Sequence, residues 1–292
     1  MPLSWRLLDE TDLPSVTELA RACLAADGGQ PFAAGEDFVR GYYLSGGGTY
    51  AAFDGGRLVC VSSLRPPDPG RHGDGVAAVT TGLVHPAWRR RGIGSHAFDW
   101  AAASHPALAA ETEALGDGAH ALYLAKGLSQ VFAEDVMTLD ADLPPARAPE
   151  GVTVSSWGQA DPARFFAVYA AAFRARPGFP GWPPARWIEW ISDDEDFRAD
   201  WTLLAALGGA DAGFVAAAAG GWITQMGVVP AARGKNIGAW LITEAVRRMR
   251  AAGETAITLN VNVNNPYAAA LYRRLGFTRS GRRARYRALN ET

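Results

Sequence analysis

Two cysteines in 292 residues, Cys23 and Cys60, stand alone without C-x-x-C spacing. That excludes a disulfide framework and a cysteine zinc site. No apolar run nears the roughly 18 residues of a membrane-crossing helix; Ala216–Ala219 is short and sits between glycines. Neither sign of charge dominates, with 28 Lys+Arg against 30 Asp+Glu and a formal net charge of −2, which excludes a broadly polycationic nucleic-acid binder. Met1–Arg6 has no apolar core behind a basic start, so no secretory signal is expected. Histidine is scarce. Its five copies fall at 72, 85, 96, 105 and 120, so the second half has no histidine to act as a base. What is present is globular in composition, 48% hydrophobic and 20% charged. A cytoplasmic protein of one large or two ordinary domains is expected, with no nucleic-acid or membrane partner.

The Pro-rich stretch Ala141–Gly151 lies near the midpoint and reads as a semi-rigid linker. The expected division is therefore residues 1–140, a linker at 141–151, and residues 152–292. The two sides follow one plan. Asp12-Leu-Pro and Asp161-Pro each open a helical run, 149 residues apart, and Ala121-Leu-Tyr123 recurs as Ala270-Leu-Tyr272 at the same offset. Between these anchors stand Gly82-Leu-Val-His-Pro-Ala-Trp-Arg89-Arg-Arg-Gly92-Ile-Gly94 and Gly227-Val-Val-Pro-Ala-Ala-Arg233-Gly-Lys-Asn236-Ile-Gly238, offset by 144. Ordered anchors around a shared motif point to a duplication.

Each half reads as α+β. Strands are expected at Thr49–Phe53 and Leu58–Leu64, matched by Leu203–Leu207 and Gly213–Ala217, and then at Val76–Val84 and Trp222–Val229. Apolar residues at helical spacing mark Ile237–Ala252, closed by Gly253. Ile257–Val263 alternates as a strand, and a helix runs from Pro266 to Gly276. The turn at 229–238 leads from a strand straight into a helix. Such an end carries unpartnered amides and the positive end of the dipole, which suits a pyrophosphate. An ordinary strand-to-helix turn needing glycine for its backbone angles explains one copy equally well. Neither G-x-G-x-x-G nor a Walker A pattern occurs.

Asn265-Pro-Tyr-Ala268-Ala-Ala-Leu-Tyr272 followed by Gly276-Phe277 completes a second motif. At this point the chain resembles the GNAT acetyltransferase superfamily, whose cofactor motif is Arg/Gln-x-x-Gly-x-Gly/Ala and whose later motif is Asn-x-x-Ala-x-x-x-Tyr. Arg89, Gly92 and Gly94 match the first motif fully. Arg233 and Gly238 match it with Asn236 at the middle glycine. Among tandem members it is most similar to the mycothiol synthase group, through Leu83–Gly94 and Ala172–Trp182. The resemblance implies two tandem GNAT-type domains, each a mixed, mostly antiparallel sheet flanked by helices. It also implies acetyl-CoA as donor and a small-molecule amine as acceptor, and a monomer in which the two domains form an internal pseudo-dimer.

By that resemblance, Arg233, Gly234, Lys235, Asn236, Ile237, Gly238 and Ala239 hold the pyrophosphate, while backbone groups of Met226, Val228 and Val229 hold the pantetheine arm. Asn265 contacts the cofactor and Tyr272 protonates the leaving thiolate; as residues alone, Tyr272 also fits an aromatic packed on the sheet. A second cofactor site is expected at Leu83, Val84, Arg89, Arg91, Gly92 and Gly94. The first half is less complete, because Gly116 stands where Asn265 does, although Ala119 and Tyr123 are kept. It is expected to be degenerate, with His85 and His96 acting as simple hydrogen-bonders. The mycothiol synthase group carries a carboxylate early on the strand before the proline. Here that position is Trp222, followed by Thr224 and Gln225, and the nearest acidic cluster is Asp193–Asp196. This departure leaves open a non-catalytic acetyl-CoA-binding protein. Trp182, Trp187 and Trp190 read either as walls of an acceptor site or as a core stripe. Arg279–Arg287 reads as a terminal strand with solvated arginines rather than an RNA-binding run.

Overall fold

The structure is a computed structural model, and it describes residues 2–72, 75–176 and 179–289. Pro177 and Gly178 of the Ala172–Trp182 stretch lie outside the described residues. The first elements are β1 (Ser4–Leu7), α1 (Leu13–Asp27), α2 (Glu36–Val39), β2 (Thr49–Asp54), β3 (Arg57–Arg65) and α3 (Pro69–His72). Then come β4 (Ala78–Val84), α4 (Ile93–Ser104), β5 (Leu108–Thr112), α5 (Asp117–Ala125) and β6 (Ser129–Leu139). The order repeats with β7 (Val152–Ser156), α6 (Pro162–Phe173), α7 (Pro184–Ser192), β8 (Leu203–Leu207), β9 (Ala210–Ala218) and β10 (Trp222–Val228). It closes with α8 (Ile237–Ala251), β11 (Ile257–Asn262), α9 (Pro266–Arg274) and β12 (Thr278–Arg287).

The chain forms two compact units, residues 1–136 with 280–292, and residues 137–279. This differs from the expected division at both ends. The Pro-rich stretch groups with the second unit, and the last thirteen residues group with the first. The sheet of the first unit runs β1-β2-β3-β4-β5-β12-β6. Its β1–β4 neighbours are antiparallel, β4 and β5 are parallel, and β12 lies antiparallel to β5 with Ala284 opposite Thr112. Val16, Leu19, Val39, Tyr43 and Val61 fill one face under α1 and α2, and Cys60, Ile93 and Ala97 fill the face under α4.

In the second unit the sheet runs β11-β10-β9-β8-β7, antiparallel except for the parallel pair β10 and β11. The mixed, mostly antiparallel sheets flanked by helices are the expected α+β fold. Apolar residues of α8 (Ile237, Leu241, Ile242, Val246) pack with Leu203, Val215 and Ile257 on one face. The other face carries an aromatic core of Trp157, Phe165, Tyr169, Trp187 and Phe214. Here α6 lies so close to β10 that a Cβ at Gly227 would stand 2.9 Å from Ala172 and 3.0 Å from Phe173 and Phe214. Only glycine fits, and that approach brings the end of α6 to the end of β10.

Candidate active site

Strands β10 and β11 share only the rungs Trp222–Thr258 and Ile223–Leu259, after which they part. A register shift between Ile223 and Gln225 puts an extra residue in β10 against β9. Such a bulge reverses which edge of the strand each later residue faces. Val229 donates its N–H to Ala212 O on the β9 side (2.9 Å). By alternation, Met226 and Val228 turn their backbone groups the other way, into the gap left by β11. The expectation for Met226 and Val228 therefore fits the strand geometry. Val229 is different, because its N–H is already taken.

The turn beyond β10 carries two residues in the left-handed region, Gly234 (φ 77°) and Asn236 (φ 59°). The first unit has Arg90 (φ 64°) and Gly92 (φ 76°) there. At an offset of 144, both copies keep the same two left-handed positions and exchange which one holds glycine. Asn is among the few non-glycine residues for which this region is inexpensive, so the motif's missing glycine changes no geometry. Arg233 N–H donates to Pro230 O (3.3 Å) and Trp240 N–H to Asn236 O (3.0 Å). Among the described residues, none of the amides from Gly234 to Ala239 donates to another backbone group. They are the orphan donors of the first turn of a helix. Gly238 faces Leu271, Val228 and Met226 at 3.5 to 3.6 Å from a would-be Cβ, so an alanine would also fit there.

Arg233 does not reach outward. Its Nε donates to Val228 O (3.2 Å) and its guanidinium to Ala172 O (3.1 Å), tying β10 to the end of α6. Lys235 is exposed. Asn265 caps α9, its Oδ1 accepting the Ala268 N–H (3.2 Å), which accounts for the Asn-x-x-Ala spacing and leaves its amide nitrogen to donate. The Tyr272 ring is core, 6% exposed and 5.9 Å from Phe277. Burial raises its pKa, so the phenol keeps its proton across physiological pH.

The first unit has the same backbone but a different occupant. Strands β4 and β5 part after Thr80–Ala110, and Arg89 Nε donates to Val84 O (3.0 Å) as Arg233 does to Val228. The rest of the Arg89 guanidinium grips Asp27 through two bonds of 2.7 and 2.6 Å. A Cβ at Gly116 would stand 2.7 Å from that carboxylate. Asp27 thus bridges the end of β4 to the start of α5, across the mouth of the parted strands. The sequence reading missed Asp27. Its signal lay in the repeat itself, since the residue 149 positions later is Arg176. Arg91 turns back to Ala87 O (3.0 Å), and Leu83 packs into the core under α1.

Other expectations change with the structure. Trp187 is core, fully buried, with its Nε1–H on Gln225 Oε1 (3.3 Å). Trp190 is 51% exposed and lies 5.5 Å from Trp182, over which Arg186 stacks. The stripe is therefore half core and half surface. Asp193–Asp196 cap their own loop, and Ala219 N–H bonds Asp196 O (2.7 Å) at the Trp222 end of the sheet, roughly 20 Å along β10 from Val228. Arg279 is exposed, but the arginines that follow it are only partly so. Arg282 pairs with Asp135 (2.7 Å), Arg283 with Glu113 (3.3 Å), and Arg285 stacks on Phe132 at 3.8 Å. With Arg65, Arg71 and His72 they surround Glu111 and Glu113, which are 1% and 7% exposed. His85 accepts the Ala87 N–H (3.2 Å) and meets Arg57 at its other nitrogen (3.0 Å), and His96 packs 4.5 Å from Trp5; among the described residues neither forms an ion pair. No helix among the described residues is long and apolar enough to cross a membrane.

The Acetyltransferase (GNAT) family matches residues 14–128 and 163–277, once in each unit. A mycothiol acetyltransferase of Mycobacteroides abscessus is 30% identical over 286 residues, covering 93% of this chain and 94% of that protein. A mycothiol acetyltransferase of Pseudarthrobacter chlorophenolicus is 30% identical across 67% of this chain and 65% of its own length. In fold, a GCN5-related N-acetyltransferase from Sphaerobacter thermophilus superposes with a TM-score of 0.72 over 98% of this chain and 95% of that one, at 23% identity. The chain belongs to the acetyltransferase (GNAT) family, with two such domains in tandem. It is an N-acetyltransferase that uses acetyl-CoA as its donor. The unpartnered amides of 234–239, the exposed Lys235 beside them and the backbone edge at Met226 and the Val228 N–H fit a phosphate-bearing thioester of that shape.

Proposed function

We propose that the second unit carries the transferase site, acting on the amine of a small molecule, and that the first unit is degenerate. The observation that carries this reading is the contrast at the parted strands: the motif arginine beyond β10 binds only backbone carbonyls, whereas the one beyond β4 also grips the Asp27 carboxylate next to Gly116. Acetyl-CoA supplies the activated acetyl thioester. The amides of 234–239 hold its diphosphate at the helix N-terminus. Met226 and Val228 align the arm along the strand edge, where a fixed N–H is aimed at a developing negative oxygen. The Asn265 amide nitrogen donates from the start of α9. The Tyr272 phenol holds the proton that the departing sulfur takes.

Among the described residues this unit has no histidine, and the carboxylate next to the end of β10, Asp211 beside the Ala212 that pairs with Val229, is held by Arg164 (2.6 Å), so the acceptor amine gives up its proton to water or arrives neutral. Trp182 and Trp190, with Arg186 stacked on Trp182, suit an acceptor with an apolar face. The mycothiol acetyltransferases are relatives by sequence, and their acceptor belongs in the panel that tests this reading. Thiol release should be measured with acetyl-CoA and a set of amines. Tyr272→Phe should lower kcat by roughly two to four orders of magnitude while acetyl-CoA affinity stays within about twofold of the parent. Equal loss of both, or tight binding without turnover on any amine, refutes the assignment.

A further inference from the structure

The stretch between the two family matches is not a passive spacer. At the last turn of α8, the Arg250 guanidinium converges on the carbonyl oxygens of Leu139 (3.1 Å), Asp140 (2.9 Å) and Ala141 (3.2 Å), and its Nε lies 3.4 Å from Asp142. From that anchor the chain continues through Leu143–Pro149 to the first turns of the same helix. There the stretch and the helix enclose a cavity of about 300 Å³. Its walls include Leu143, Arg147, Asn236, Trp240 and Arg274. The lengths agree. Seven residues of proline-rich chain extend roughly 22 Å, and fourteen residues of helix from Arg250 back to Asn236 span roughly 21 Å. Proline stiffens such a segment, so little order is lost when a ligand meets it.

The cavity adjoins the left-handed cap Asn236 and the orphan amides beside it. Two exposed arginines, Arg147 and Arg274, flank it, and neither is paired with a carboxylate among the described residues. Trp240, Leu275 and the prolines supply an apolar wall, beside the polar Asn236 and Thr243. An apolar wall bracketed by two free guanidinium groups is complementary to a flat heterocycle bearing phosphates. We propose that residues 143–149 form the outer wall of the site for the nucleotide end of acetyl-CoA, with Arg147 a phosphate-binding residue supplied from outside the family domain. This rests on the second unit holding the cofactor, as argued above.

Calorimetric titration of the full-length protein with CoA, dephospho-CoA and acetyl-pantetheine tests it. In Arg147→Ala, CoA affinity should fall about threefold to tenfold, dephospho-CoA affinity by less, and acetyl-pantetheine affinity not at all. Bound CoA should also slow tryptic cleavage after Arg147. Unchanged CoA affinity, or the same loss with all three ligands, overturns the proposal. Gly238→Val, which crowds the cradle between Leu271 and Val228, separates the two readings. If it abolishes CoA binding while Arg147→Ala leaves binding intact, the cradle stands and the linker wall falls. If Gly238→Val binds CoA normally, the cradle assignment itself fails.

Discussion

Replacing Glu111 by glutamine should cost the first unit about 3 kcal/mol at neutral pH. Glu111 is 1% exposed on β5, with an Arg65 guanidinium nitrogen at 3.2 Å, His72 Nε2 at 3.4 Å and Arg71 in direct contact. Burial alone would raise its pKa, but the His72 hydrogen bond and the charges of Arg71 and Arg65 outweigh it and bring it to about 2. A carboxyl that titrates near 2 in the fold and near 4.5 in the unfolded chain contributes roughly 3 kcal/mol when both states are ionised. Removing one member of a buried pair costs about 3–5 kcal/mol by a separate route, and the two figures agree. In a unit of about 150 residues this lowers Tm by roughly 6–12 °C. The sign in pH follows from the lowered pKa. The stabilisation is full above about 4.5 and fades as pH falls toward 2, so the gap between parent and variant is widest at pH 7 and narrows below 4.5. Glu113, two residues along the same face, provides the contrast. Burial raises its pKa, against the charges of Arg283 and Arg71 that lower it, so ionisation of Glu113 brings no net stabilisation, and Glu113→Gln should cost clearly less. Calorimetric scans from pH 7 to pH 3 decide the matter. A Glu111→Gln variant melting within about 2 °C of the parent at pH 7, or a gap that widens on acidification, refutes the reasoning.

Two further outcomes follow from the site. Asp27→Ala releases the motif arginine and clears the mouth of the parted strands in the first unit; CoA stoichiometry by calorimetry should rise from one toward two per chain, and a parent that already binds two contradicts the blockage. Arg90→Gly, at φ 64°, should raise the unfolding free energy of the first unit by up to about 1 kcal/mol, whereas Asn236→Val should lower that of the second by about 1–2 kcal/mol and weaken CoA binding; denaturant midpoints check both.

The repeat, the hairpins, the strand-to-helix turn and the start of α9 at Pro266 were legible because each is written locally, in spacing and in turn chemistry; the Asn265 cap was not read from the sequence. The alternating arginines of 279–287 announced a strand correctly but not its neighbour. The carboxylates that bury them, Glu111, Glu113 and Asp135, lie roughly 150 residues away in sequence, and a period-2 pattern carries no record of the strand it pairs with. That non-local pairing is why the terminal strand belongs to the first unit. It is also why a run that looked solvated is an internal charge network. Tyr272 was ambiguous for the opposite reason: one helix position served both readings, and the structure finds its ring in the core.

On the proposed assignment, little separates the cradle of the second unit from that of the first. Both keep the same left-handed pair, the same arginine-to-carbonyl bond at the strand end and the same small residue facing a valine and a leucine, Gly94 against Val84 and Leu122, Gly238 against Val228 and Leu271. The backbone is held by these shared features, so it tolerates change at positions that only face the gap. Asp27 is such a position in the first half, and its counterpart 149 residues on is Arg176. A carboxylate opposite Gly116 can satisfy the motif arginine from inside the fold. An asparagine that caps its own helix has no need of that partner and leaves the gap open. Under the proposed assignment one side chain, Asp27, closes the first unit's site, while its fold is maintained by the buried ionic network and by β12.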